Sequence, residues 1–345
     1  GSLMPEITVA ITTHNLERFL GPCLEELLGQ TFQDFEILVY DDCSTDRTGE
    51  ILENYRSRCP EKMRILWGQT LQGSPARSRN AILGSGEIRG KYLIFLDGDD
   101  NLEPDYLEKL HTTARQTGAE ITLCAYDRFE DETGRVLCKE MQGFPQEIIL
   151  PADSSRIPFI NSALWNKLIR TDLLGDLRIP DFKVGEDLCF QLRLFRQCRK
   201  IACVDQVLVH YRVHAGSIMA NTQEDTMHAL ADELKKIWQE SEQTRFRDAV
   251  ALAAFLHIGI SMTSRAYDNP SIRVGEIISW AYDYLRSAYG PLNTWPLLRL
   301  FALRGQGVKG LGIWAARLSY QWHLFPAFLW AYKTGTRLLR IDIKF

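Results

Sequence analysis

Tyr92-Leu93-Ile94-Phe95-Leu96 runs directly into Asp97-Gly98-Asp99-Asp100. The five apolar residues are β-formers with a glycine-rich stretch before them and acids after, so they read as a short buried strand. Three carboxylates packed just past a strand's carboxyl end repel one another. Solvation or a divalent cation relieves that repulsion. Open α/β sheets bind ligands at the carboxyl ends of their strands. An all-oxygen donor set with open positions suits Mg²⁺ or Mn²⁺ bridged to a phosphate. The same residues also read as a polar loop that caps the next helix.

Working outward, strand and helix alternate. Strands are expected at Ile7 to Thr12, Phe35 to Tyr40, Met63 to Trp67 and Tyr92 to Leu96, and helices at Leu16 to Leu28, Thr48 to Arg58 and Ser74 to Leu83. Such alternation predicts an α/β fold, a mostly parallel sheet flanked by helices. Pro104 to Thr117 and Glu186 to Arg196 add helices, Glu120 to Tyr126 and Ile201 to Tyr211 add extended segments, and Asp131-Glu132-Thr133-Gly134 reads as a hairpin turn. From about Met219 onward the periodicity is helical. The expected organisation is a catalytic domain over 1–220, split into a nucleotide half (about 5–105) and an acceptor half (about 106–220), followed by a helical extension over 221–345.

The chain has 345 residues and a net charge of -4. That charge is unevenly spread: from Arg299 onward eight basic residues face Asp342 alone. Such asymmetry points to an anionic partner for the tail. Eight cysteines form no C-x-x-C pair, which argues against a zinc site and against a disulfide framework. Reduced thiols, no signal peptide and no long uninterrupted apolar run lead to the expectation of a cytoplasmic protein without a transmembrane helix. No nucleic-acid readout module is recognisable.

Three further clusters carry chemistry. Thr12-Thr13-His14-Asn15 ends the first strand, and its backbone N–H groups face either a phosphate or the helix they cap. Asp41-Asp42 ends the second strand, where a carboxylate accepts from a base or ribose, or caps a turn with Ser44 and Thr45. Gly73 to Asn80 lets a backbone approach closely and then places Arg77 and Arg79 on a helix. The Arg79 fork suits phosphate, or equally a structural pair with Asp97 or Asp99.

In order and spacing, Thr12 to Asn15, Tyr40-Asp41-Asp42-Cys43-Ser44-Thr45-Asp46, Gly73 to Asn80 and Leu96 to Asp100 resemble the family 2 glycosyltransferases of GT-A fold. Trp165-Asn166-Lys167-Leu168, Gly185-Glu186-Asp187 and Tyr211 to Ile218 extend the resemblance to about residues 5–220. Cys43 stands where the family has glycine, and Ser78 where it has alanine. The resemblance implies an inverting, metal-dependent transfer from a UDP-sugar to a carbohydrate hydroxyl, lipid- or protein-linked, in bacterial surface glycan assembly. It places Thr12, Thr13, Asn15, Asp41, Asp42, Arg79, Asp97, Gly98 and Arg212 at the nucleotide, and Asp97, Asp99 and His214 at the metal. Asp187 becomes the base, with Glu186 beside it on the acceptor side. At the acceptor, Trp165 either stacks on the apolar face of a sugar or is plain core, with Asn166 and Lys167 as polar neighbours in the same loop. Two rival readings are a sugar-nucleotide nucleotidyltransferase and a non-catalytic partner subunit that kept the fold.

The region 296–345 interleaves Trp314, Tyr320, Trp322, Phe325, Phe328, Trp330 and Tyr332 with arginines and lysines. That composition suits the surface of an anionic membrane, at the inner face of the plasma membrane. A helical bundle or a homo-oligomer interface fits it as well.

Overall fold

The computed structural model describes residues 4–214 and 224–339. Ala215 to Ile218, which close the last motif, lie outside them, as do Arg340, Asp342 and Lys344. Contacts divide the chain into two compact units, Gly1–Leu150 with Asn161–Ile218, and Pro151–Ile160 with Met219–Phe345. Residues 151–160, expected within the acceptor half, thus count with the helices.

The first unit is built on one mixed sheet. β1 (Ile7–Thr13), β2 (Phe35–Asp41), β3 (Met63–Trp67) and β4 (Tyr92–Asp97) lie parallel in the order β3-β2-β1-β4. Every residue of β1 and β2 is buried, as expected for parallel strands covered on both faces. Between them run α1 (Leu20–Leu28), α2 (Thr48–Arg58) and α3 (Pro75–Leu83). Register sets Thr13 opposite Asp41 and Thr12 opposite Asp97, so both acidic motifs emerge at the same edge of the sheet.

The helix expected from Leu16 begins at Leu20 instead. Residues 14–19 are held as a turn: Asn15 has φ +50°, and the Leu16 and Glu17 N–H groups donate to Thr48 Oγ1 at 2.8 Å and Asp46 Oδ2 at 3.2 Å. α3 starts cleanly. Gly73 has φ +78°, Ser74 accepts from the Arg77 N–H at 3.2 Å, and Pro75 occupies the first turn where its missing N–H costs nothing.

Beyond β4 the expected parallel arrangement gives way to mixed pairing. β5 (Asn101–Leu102) and α4 (Tyr106–Thr117) precede β6 (Ile121–Glu130), β7 (Val136–Glu140), β8 (Glu147–Ile149), β9 (Lys167–Arg170), α5 (Glu186–Gln197) and β10 (Lys200–Val213). β9 is antiparallel to both β4 and β6, whereas β10 runs parallel to β6 and antiparallel to β5 and β8. β6 and β7 form the hairpin expected around Gly134, which sits at φ +72°.

The second unit is helical: α6 (Glu224–Glu240), α7 (Thr244–Ala254), α8 (Thr263–Tyr267), α9 (Val274–Tyr289), α10 (Gly307–Gln321) and α11 (Phe325–Leu339), with a π-helical segment over Phe255–Met262. The continuous run Thr244–Tyr267 is long and apolar enough to cross a membrane, but 78% of its apolar window is buried inside the protein. Its side chains are therefore already satisfied by their own fold. The tail contains two helices, and Tyr320 and Phe325 stack at 3.9 Å, each 1% exposed. Those two aromatics are core residues and do not belong to a surface belt.

Candidate active site

The site gathers at the carboxyl edge of β1, β2 and β4. At the end of β4, Asp97, Asp99 and Asp100 each place a carboxylate oxygen within 4.8 Å of the others. Asp100 is fully buried and accepts from the Asp97 N–H at 2.9 Å, so it shapes the turn. Burial, then the charges of Asp97 and Asp99, push its carboxyl well above the usual range. Burial and Asp97 push Asp99 up in the same way. When ionised, the cluster therefore holds a surplus of negative charge that burial and its own like charges disfavour. All-oxygen donors with that surplus fit a hard divalent cation. A Cβ at Gly98 would meet Leu16 Cδ1 at 2.8 Å, so a larger residue there would displace the Leu16 side chain.

Arg79, 5% exposed, ties this cluster to a distant part of the chain. Its Nη2 donates to Asp97 at 2.9 Å, and its Nη1 lies 3.3 Å from both carboxylate oxygens of Asp187. Burial works against the Arg79 cation, but Asp97 and Asp187 more than offset it and hold the group protonated. Asp187 sits in the first turn of α5, entered through Gly185 at φ +86°. The positive end of the helix favours its anion. Burial and the charge of Asp97 outweigh that and the Arg79 attraction, so its carboxyl is raised. Burial and the Asp187 charge push Glu186 up to about 7.

His214, just past β10, faces the acidic cluster. Its Nε2 lies 3.4 Å from Asp99 Oδ2 and its Nδ1 3.5 Å from Asp131 Oδ2. Asp131 was read only as a turn residue. It also accepts from Arg212 Nη1 at 2.6 Å and faces Arg18 Nη1 at 3.6 Å, and these cations hold its carboxyl low. Phe19 packs edge-on to His214 at 5.5 Å and carries the Arg212 guanidinium at 4.9 Å. A hairpin aspartate close in sequence to no other motif gave no signal of this role.

Several expected ligand contacts are already occupied by the protein. Thr13 donates its hydroxyl to Asp41 Oδ1 at 2.7 Å, and Asp41 also accepts from the Ser44 hydroxyl at 2.7 Å and the Ser44 N–H at 3.1 Å. Asp42 accepts from the Gln72 and Gly73 N–H groups at 2.7 and 3.0 Å and so shapes the entry to α3. Asn15 accepts from Thr45 N–H at 2.8 Å, while its own N–H donates to Ser44 Oγ. Thr12 is buried. The turn after β1 and the turn after β2 are thus laced together, and the Asn15, Ser44 and Thr45 N–H groups are taken up by that lacing. Cys43 takes φ +50°, the left-handed conformation that explains glycine at this place in the resembling family.

The residues expected at the acceptor are enclosed by the protein. Asn166 and Lys167 are 0% and 2% exposed. The Lys167 ammonium donates to Asn161 O, Asn161 Oδ1, Ala163 O and Asn166 Oδ1 at 2.6–3.0 Å, and burial lowers it to about 7. Trp165, 6% exposed, stacks on Tyr211 at 5.2 Å and meets Tyr126 edge-on at 4.5 Å. These three residues build the floor under the site and offer no face to an acceptor. Arg212, expected at the diphosphate, is engaged by Asp131 instead.

Comparison with known proteins agrees with this geometry. Residues 8–165 match the model of glycosyl transferase family 2. Glycosyltransferase GlyA of Streptococcus pneumoniae is 28% identical over 240 residues, 67% of this chain but only 34% of its own length. Glycosyltransferase GlyG of the same organism is 26% identical over 224 residues, 62% of this chain and 72% of its own. The crystal structure of S. aureus TarS 1-349 in complex with UDP-GlcNAc matches with a TM-score of 0.67 at 21% identity, covering 96% of this chain and 92% of that one. At that identity the likeness is one of fold.

Proposed function

The chain carries a glycosyl transferase family 2 domain over residues 8–165, and from that premise we propose that it moves a sugar from a UDP-sugar to a glycan hydroxyl with inversion at the sugar carbon. One observation carries the reading: Arg79 spans Asp97 and Asp187, so a metal-type acidic cluster and a raised carboxylate share one edge of the sheet. Asp97 and Asp99, with His214 beside Asp99, are the residues that would hold Mg²⁺ or Mn²⁺. A cation bound there supplies charge stabilisation to a departing diphosphate. Asp187 takes the proton of the acceptor hydroxyl as the new glycosidic bond forms and the bond to UDP breaks. Its raised pKa makes it a stronger base than an exposed aspartate. Glu186, its carboxyl pushed up to about 7, carries less of a second repelling charge toward an approaching acceptor hydroxyl than an ordinary glutamate would. The decisive experiment is a donor screen that reads UDP release for each sugar nucleotide, with Mn²⁺ compared against chelator. Absence of UDP release above donor hydrolysis for every donor overturns the reading.

For the helical unit the proposal is contact with the anionic inner face of the plasma membrane, during bacterial surface glycan assembly. Between Asp283 and Asp342 the sequence holds no acid. Phe301, Val308, Trp322, Trp330 and Leu338 are 59–76% exposed among its cations. Large exposed apolar groups set among positive charge suit such a surface. Flotation with phosphatidylglycerol vesicles, but not with phosphatidylcholine vesicles, is the expected result, lost in Trp322→Ala/Trp330→Ala. A concentration-dependent rise in mass without vesicles would instead identify this face as a homo-oligomer contact.

A further inference from the structure

The helical unit holds a cavity of ≈ 220 Å³ that the transfer chemistry does not use. It is framed by the end of α6, the first two turns of α7, the end of α9 and the turns that follow. Its chemistry-bearing lining is Trp238, Arg247, Asp248, Tyr289, Thr294 and Trp295. The volume holds roughly seven waters at ~30 Å³ each. That is room for one sugar ring.

The charged pair in this cavity is unusual. The Arg247 guanidinium carbon lies 3.6 Å from the centroid of the Trp238 ring, and its buried Nε has no hydrogen-bond partner. Among the described residues neither Arg247 nor Asp248 forms a side-chain ion pair or hydrogen bond. The aromatic rings are fixed in place. Tyr289 meets Trp238 edge-on at 5.6 Å and Trp295 at 5.7 Å, and the Trp295 Nε1–H donates to Gly290 O at 2.9 Å.

We propose that this cavity is a saccharide-binding site, distinct from the transfer site, that takes one neutral pyranose of a glycan chain. The ligand class follows from the lining. An anion would meet the Asp248 carboxylate, and a cation would meet Arg247. A sugar hydroxyl both donates and accepts, so adjacent hydroxyls satisfy Asp248 and Arg247 together. Fixed aromatic rings receive the apolar C–H face of the ring. Burial with only partial compensation by Arg247 raises the Asp248 carboxyl, as expected for a polar group waiting for a donor. The preference for a saccharide rests on the cavity alone; the identification of that saccharide with the acceptor glycan rests on the proposed function.

The test uses the full chain and three probes, free glucose, galactose and N-acetylglucosamine, observed by saturation-transfer NMR and by tryptophan fluorescence. Binding of at least one of them is expected, weakened about tenfold or more, ~1.4 kcal/mol, by Arg247→Ala. Thr244→Trp fills the cavity from an exposed position at the start of α7. It is expected to abolish the binding, leave the melting temperature intact and leave UDP release unchanged. Failure of all three sugars to bind, or binding that survives Thr244→Trp, overturns the proposal. No donor or turnover enters this measurement. UDP release without sugar binding therefore rejects the cavity and keeps the enzyme, and the converse does the opposite.

Discussion

Arg79 and Asp187, 108 residues apart in sequence, meet with one guanidinium nitrogen equidistant from both carboxylate oxygens at 3.3 Å. The contact joins the carboxyl edge of β4 to α5, the helix that carries the proposed base. Arg79→Ala leaves Asp97 and Asp187 facing each other without a cation. Breaking a buried pair costs about 3–5 kcal/mol, and the expected loss falls below that range because the two acids keep 29% and 23% side-chain exposure. Urea unfolding reads the loss as a lower midpoint, with Arg79→Lys between wild type and Arg79→Ala because it keeps charge but not the fork. An unchanged midpoint would remove the bridge from the argument.

Asp187→Asn tests the base. It preserves shape and removes the proton acceptor, so turnover should fall about 10²–10⁴-fold. Affinity for UDP-sugar, followed by calorimetry, should change by no more than roughly threefold, because the loss is confined to the chemical step. Full turnover would send the role of base elsewhere.

Asp99→Ala and chelation address the cation. Each should abolish UDP release, and Mn²⁺ should restore the chelated wild type but not the variant. Undiminished release in chelator would leave the acidic cluster without its assigned role.

The raised carboxyls give a pH signature with a definite sign. The base works deprotonated, so the rate should rise with pH through the raised Asp187 value. Stability runs the other way. Glu186 binds its proton more tightly when folded, up to about 7 against the ordinary 4.5. Its contribution is complete below 4.5 and is lost as pH climbs to about 7. Glu186→Gln should therefore melt higher than wild type at pH 8, and the advantage should shrink by pH 5. An equal difference at both pH values would contradict the burial argument.

Lys167→Met examines the floor of the site. It strands four oxygen acceptors gathered by one ammonium, two of them main-chain carbonyls. Unsatisfied buried acceptors cost ~1–3 kcal/mol each when no water replaces the donor. A lower melting temperature is expected, with little change in acceptor KM for the protein that remains folded. A selective rise in acceptor KM at unchanged stability would restore the contact that the burial of Lys167 denies.

Local chemistry made much of this legible. The runs Phe35 to Tyr40 and Tyr92 to Leu96 are largely apolar, and Asp41-Asp42 and Asp97 follow them immediately, so strand and site could be read together. Pro75 after Gly73 and Ser74 marked the start of α3 to within a residue. What stayed hidden depends on partners far along the chain. Asp131 claims Arg212 across 81 residues, and Ser44 and Asp46 close off the turn at Asn15 and Glu17 across 29. The burial of Asn166 and Lys167 follows from β9 lying between β4 and β6, a pairing that no periodicity announces. Residues 151–160 fall inside the expected acceptor half, but Ser154 to Phe159 pack against α7 in the helical unit, a tertiary event that local sequence does not announce.

β10 advances five positions from Val204 to Val209 where its neighbour β6 advances only two from Cys124 to Tyr126. An odd surplus exchanges the two faces of a pleated strand for everything downstream. That irregularity therefore decides which way Arg212 and His214 look. Removing a single residue from it would leave the strand paired and the composition nearly unchanged, yet turn the imidazole's carrier segment by half a pleat. Length in this stretch is therefore a constraint separate from side-chain identity, and it is quantised in pairs.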